Sequence, residues 1–158
     1  MEFLPNIVPD FEFRRLGYSE AEIGYAFEVK KAALRPHVEK RWPWDEAFQF
    51  DLHQKRYAEK PFFKIIHKGA AIGVVSVLQA SDHIRFGEFY IFREHQGHGL
   101  GTKILCHVLA LADAATLPVR LEYLKWNPVG SLYLRNGFQV THETETHYFL
   151  EREPGRAP

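Results

Sequence analysis

The chain has 158 residues, with 20 Lys or Arg against 20 Asp or Glu and a formal net charge of zero. That length suits one domain with one hydrophobic core, and the charge balance excludes a nucleic-acid binder that relies on a global positive field. Cys106 is the only cysteine, which excludes an internal disulfide and a cysteine-rich zinc site.

No apolar run approaches the roughly 20 residues of a membrane span. Residues 1–10 lack the basic start and apolar core of a signal peptide. The expected location is the cytoplasm, with neither nucleic acid nor membrane as partner. Thirteen Phe, seven Tyr and three Trp predict a well-filled aromatic core.

In chain order, residues 11–16 read as a first strand. Ser19 and Glu22 form an S-x-x-E capping box. Ile23, Ala26, Phe27, Ala33 and Leu34 follow at helical spacing, and Pro36 is expected to end that helix. Arg41-Trp42-Pro43-Trp44-Asp45-Glu46 reads as a compact aromatic and acidic turn. A second helix is expected over about 45–58, broken by Pro61. Strands follow over 62–67 and 71–78, joined at Lys68-Gly69, and over 84–92.

Beyond a glycine-rich turn, a helix carries Leu100, Ile104, Leu105, Val108, Leu111 and Ala112 on one face, with Cys106 near that stripe and expected to be buried. Alternation over 119–124 gives a strand. Asn127 and Pro128 read as the cap and first position of a short helix that ends at Asn136-Gly137. A hairpin over 138–143 and 146–151 closes the chain. The order β-α-α-β-β-β-α-β-α-β-β predicts a mixed α/β sheet flanked by helices in a single domain over 1–158. Residues 1–10 and 153–158 are expected to be flexible.

The glycine turn is Gln96-Gly97-His98-Gly99-Leu100-Gly101. Between a strand and a helix, its glycines let the backbone turn tightly. The helix start adds unpaired N–H groups and the positive end of the macrodipole. Such a turn suits a pyrophosphate, with Thr102 and Lys103 as helpers; the same geometry also serves a helix start with no ligand. Two nucleotide motifs fail. No Gly-Lys-Ser or Gly-Lys-Thr makes a P-loop, and Gly97-x-Gly99-x-Gly101 has the wrong third spacing for a dinucleotide fingerprint.

Gln96, Gly99 and Gly101 fit Gln-x-x-Gly-x-Gly. With Asn127 and the run Tyr133-Leu134-Arg135-Asn136-Gly137-Phe138, the chain resembles the GNAT superfamily of N-acetyltransferases over nearly its whole length. The segment from Leu34 through Glu46, with Thr146-His147-Tyr148, is similar to a branch of small bacterial members, mostly of unassigned substrate. One departure is Arg93, where the family often has Pro.

The resemblance implies acetyl-CoA as co-substrate and transfer of its acetyl group to an amine, a small molecule in the first reading. A protein lysine or N-terminal acetyltransferase, and a non-catalytic acyl-CoA sensor, stay open. It also implies cofactor contacts from Ile91, Arg93, Gln96, Gly97, His98, Gly99, Leu100, Gly101, Thr102, Asn127 and Tyr133.

Tyr133 is implied as the acid that protonates the leaving thiolate, since a phenol near pKa ~10 can serve a thiol near ~8.5. Glu88 is the implied general base, with Asp45 and Glu46 as alternatives. Glu88 otherwise reads as a solvent-facing strand residue. Trp44, Asp45, Glu46 and His147 are candidates for the acceptor side, the two acids serving equally well as the start of the second helix. Asn127 serves equally as a helix cap. No metal is expected: His95 and His98 flank the turn without a converging third ligand. A homodimer is compatible with the resemblance.

Overall fold

The computed structural model of the chain describes residues 4–156. Seven strands form a sheet in the order β1-β2-β3-β4-β5-β7-β6. In sequence they are β1 (Phe11–Arg15), β2 (Phe62–His67), β3 (Ala70–Gln79), β4 (Ile84–Ile91), β5 (Val119–Leu124), β6 (Gln139–Glu143) and β7 (His147–Arg152). The helices are α1 (Glu20–Val38), α2 (Glu46–Glu59), α3 (Leu100–Ala115) and α4 (Gly130–Arg135). The mixed α/β class and the expected element order both hold. A short 3-10 turn is added over Arg93–His95.

The residues gather in two compact units that divide β4. One takes the chain up to Leu78 together with Gly87–Gln96; the other takes Gln79–Phe86 and the chain from Gly97 onward.

In the first unit β1, β2 and β3 pair antiparallel. The turn between β2 and β3 needs positive φ at both positions: Lys68 at 49° and Gly69 at 84°. Leu16, Ala26, Val29, Tyr57, Phe62 and Val74 form the core, with Tyr90 and Phe92 packed against it. Leu16, Val29, Phe62 and Val74 each contribute about 1.5–3 kcal/mol by leaving water. Gly73 is fixed by backbone contact, because a Cβ there would lie 2.1 Å from the Tyr90 carbonyl oxygen.

The Ser19 half of the capping box forms, while the Glu22 carboxylate reaches past the cap to Gly17. Ser19 Oγ accepts from the Glu22 N–H at 3.2 Å, and Glu22 Oε2 accepts from the Gly17 N–H at 2.5 Å. Helix α1 does not stop at Pro36 but runs through it to Val38. Proline in a last turn forfeits one hydrogen bond while its fixed φ remains helical, and the Glu39 N–H still reaches Arg35 O at 2.9 Å.

In the second unit β5 runs parallel to the start of β4 and antiparallel to β7, which carries β6 on its far side. Ile104, Leu105, Val108, Leu109 and Ala112 of α3 are buried. Cys106 is exposed, contrary to expectation, with its thiol 3.7 Å from Asn136 Oδ1. It falls on the rim of the apolar stripe, where one residue of helical rotation decides exposure.

Asp113 holds Arg152 through two bonds, of 2.9 and 3.2 Å. It also accepts the Gly155 N–H at 2.7 Å. Segments expected to be flexible therefore carry contacts of their own. Besides Gly155, Leu4 is buried and Asn6 Oδ1 accepts the Phe13 N–H at 2.9 Å. Residues 1–3 and 157–158 of those segments lie outside the described residues. Among the described residues, no helix is long and apolar enough to cross a membrane.

Candidate active site

Strand β4 ends at Ile91, and the chain then winds through the 3-10 turn. Arg93, where the family often has Pro, opens that turn: its carbonyl accepts the Gln96 N–H at 3.1 Å. The Gln96 side chain is spent locally, since Nε2 donates to the Ile91 carbonyl at 2.8 Å. Gln96 thus anchors the strand end that leads into the glycines.

Gly97 and Gly99 take positive φ of 83° and 74°. This is the left-handed region, which costs other residues roughly 1–2 kcal/mol. A Cβ at either would meet nothing within 4 Å, so the glycines serve backbone conformation and leave open space over the turn. Gly99 caps α3, and the first intrahelical bond there is Lys103 N–H to Gly99 O at 3.1 Å. The N–H groups of Leu100, Gly101 and Thr102 precede that bond and point out of the helix start. His98 is exposed beside them. Open approach, unpaired donors and the dipole end are what a bound pyrophosphate requires.

Tyr133 lies on α4 in the same unit and is 5% exposed. Its ring is 5.7 Å from those of Tyr123 and Phe138, and 6.3 Å from that of Phe86. Burial, with Tyr123 adding to it, pushes the phenol well above its ordinary pKa. Tyr133 is therefore protonated at neutral pH.

Asn127 does not cap α4. Its N–H donates to Leu124 O and its carbonyl accepts the Val129 N–H, each at 2.9 Å. These bonds form a turn that delays the helix to Gly130 with Val129 at the cap position. His147 opens β7 opposite Leu124, and its Nδ1 is 2.8 Å from Thr146 Oγ1.

Glu88 is not solvent-facing. Lys30 Nζ donates to Glu88 Oε1 at 2.5 Å, with side-chain exposures of 7% and 11%. Glu88 Oε2 is buried without a hydrogen-bond partner. Burial pushes the carboxyl pKa up, but Lys30, Lys60 and His53 together outweigh it and hold the group below its usual range. His53 is fully buried and donates Nε2–H to Ile23 O at 3.1 Å. Burial and the Lys30 charge lower its pKa, so it is neutral.

Sequence reading missed Lys30, His53 and Lys60 as buried groups. A signal for Lys30 existed: it occupies the inward position between Phe27 and Leu34 on the α1 stripe.

The acids near the tryptophans are engaged within the chain. Asp45 caps α2 by accepting the Phe48 N–H at 3.1 Å. Glu46 accepts from Trp44 Nε1 and from Lys31, each at 2.8 Å. Lys31 first, and then Trp44, hold the Glu46 carboxyl below its usual range.

A helix-flanked mixed sheet with an open glycine turn at a helix start is a frame able to hold a pyrophosphate-bearing cofactor. Residues 58–140 match the family model described as an acetyltransferase (GNAT) domain. The chain belongs to the GNAT acetyltransferase family, and is an acetyl-CoA-dependent acyltransferase. It is similar in fold to a PaiA N-acetyltransferase from Thermoplasma acidophilum solved with coenzyme A. Identity is 17% and the TM-score 0.70, with 90% of this chain and 98% of that one covered. Ard1 from Thermoplasma volcanium is 19% identical at a TM-score of 0.61, covering 92% and 98%. The ribosomal-protein-S18-alanine N-acetyltransferase from Escherichia coli is 14% identical at 0.62, covering 94% and 96%. No curated protein sequence matches the chain.

Proposed function

We propose that the protein is an N-acetyltransferase that passes the acetyl group of acetyl-CoA directly to the amine of a small molecule. The observation that carries this reading is the turn at Gly97 and Gly99. Its two left-handed glycines leave open space at the start of α3, which suits a pyrophosphate.

His98, Leu100, Gly101 and Thr102 complete that cradle, and main-chain groups of Ile91 and Arg93 bind the pantetheine arm as a neighbouring strand would. Asn127, relieved of capping, adds a side-chain contact to the arm. The acceptor nitrogen forms its bond to the acetyl carbon as the carbon–sulfur bond breaks. Tyr133, held protonated by its buried site, gives its hydrogen to the departing sulfur. Glu88, ionised at neutral pH, offers Oε2 as proton acceptor for the amine.

The test is release of free CoA thiol from acetyl-CoA across a panel of small amines and peptide N-termini. A small amine that accelerates release, with the effect lost in Tyr133→Phe, supports the reading. Acceleration by peptides alone assigns a protein acceptor instead. Saturable acetyl-CoA binding with no acceptor-dependent release would make the protein a sensor.

A further inference from the structure

In the second unit, one sheet face carries an ordered set of charges. Register pairs Arg85 of β4 with Arg120 of β5, and Arg120 with Glu151 of β7. The next row pairs Glu122 of β5 with Phe149 of β7 and His142 of β6. Two arginines directly opposite each other repel. Here each has an acid: Arg85 Nη2 donates to Glu122 at 2.7 Å and Arg120 Nε donates to Glu151 at 2.7 Å. A guanidinium has five N–H donors, so one bond to an acid leaves both with donors to give.

These residues line a groove of about 320 Å³, with Thr141, His142, Phe149, Leu121 and Leu150. The volume suits a small molecule. One wall is aromatic: the His142 and Phe149 rings stack on each other at 4.2 Å and 11°. The bulge between Val140 and His142 places Thr141 Oγ1 to donate to Phe149 O at 3.2 Å, fixing that wall.

We propose that this groove binds a small zwitterion with a flat apolar body, of the amino-acid type. Its carboxylate pairs with the donors left on Arg85 and Arg120, its ammonium meets Glu151, and its body packs against the His142–Phe149 pair. Two arginines and two glutamates leave the groove formally neutral, so a ligand carrying one charge lacks half of this complementarity. The proposal is independent of the acetyl-transfer reading.

The experiment is calorimetric titration of the intact protein with L-phenylalanine, 3-phenylpropionate and phenethylamine. The expected result is L-phenylalanine binding at a Kd of about 1 mM or tighter. Each singly charged analogue should bind about tenfold weaker or not at all, and so should L-phenylalanine to Arg120→Gln. Arg85→Gln gives the same loss if Arg120→Gln does not fold. Four results overturn the proposal: no binding of L-phenylalanine, binding of 3-phenylpropionate as tight, binding unchanged in both variants, or a stable dimer by light scattering that these substitutions dissociate.

Discussion

The Lys30 ammonium lies 2.5 Å from Glu88 Oε1, an ion pair buried between α1 and β4. Taking two charges out of water costs several kcal/mol apiece, and their attraction offsets this only while both are present. Lys30→Met should therefore destabilise the protein by about 3–5 kcal/mol, as seen in urea unfolding. Lys30→Met with Glu88→Leu should cost distinctly less, since the carboxylate is no longer stranded without its partner. The pH dependence has a sign. In the native pair the Glu88 pKa is depressed, so its contribution is present above the unfolded carboxylate pKa and lost as pH falls through the folded value. Lys30→Met removes both Lys30 contributions that lower this pKa and keeps the burial that raises it. The folded pKa should rise, and the loss of stability on acidification should shrink.

Gly73→Ala tests the backbone contact with β4. The added Cβ would sit 2.1 Å from the Tyr90 carbonyl, so one strand must shift. Overpacking of this kind costs about 1–3 kcal/mol or more. A thermal melt should show the fall, whereas Gly24→Ala on α1, with nothing near its Cβ, should hold or raise the melting temperature.

Asp113 anchors Arg152 and the segment after it. The Arg152 bonds first, and then the Gly155 N–H, hold its pKa below the usual range. Its stabilisation is present above about pH 4 and lost as pH falls through the depressed folded value. Asp113→Asn should lower stability at pH 7 by about 1–2 kcal/mol, because the carboxylate is partly exposed and screened. It should also flatten the decline of stability below pH 4, read from unfolding midpoints across that range.

Tyr133→Phe keeps the ring packing against Phe86, Tyr123 and Phe138 and removes only the phenolic hydroxyl. The expected loss in kcat is about 10²-fold or more, with acetyl-CoA affinity and melting temperature nearly unchanged. A fall in affinity of the same size would make Tyr133 a binding group only.

Local chemistry made much of the fold legible. The Ser19–Glu22 capping box, the Lys68-Gly69 turn and the alternation over 119–124 each have a physical cause within a few residues of chain. The glycine turn was legible for the same reason, since positive φ at Gly97 and Gly99 needs glycine wherever the chain goes. Tertiary bonds decided the rest. Asn127 and Pro128 carry a good helix start, yet bonds to Leu124 and Val129 claim that turn first. Asp45 and Glu46 look poised for a cationic substrate until α2 and Lys31 take them. Glu88 looks like a surface strand residue because its partner stands 58 positions away, a separation no periodicity reveals.

Titration of the protein and its Gly99→Glu variant with acetyl-CoA decides whether the turn holds the cofactor. Saturable binding is predicted for the native chain, at a Kd well below ~1 mM. In the variant, a side chain in the left-handed position places a carboxylate against the pyrophosphate, and binding should weaken at least about a hundredfold. Equal affinity in the two proteins, or no binding to the native one, would contradict the assignment of the turn to acetyl-CoA.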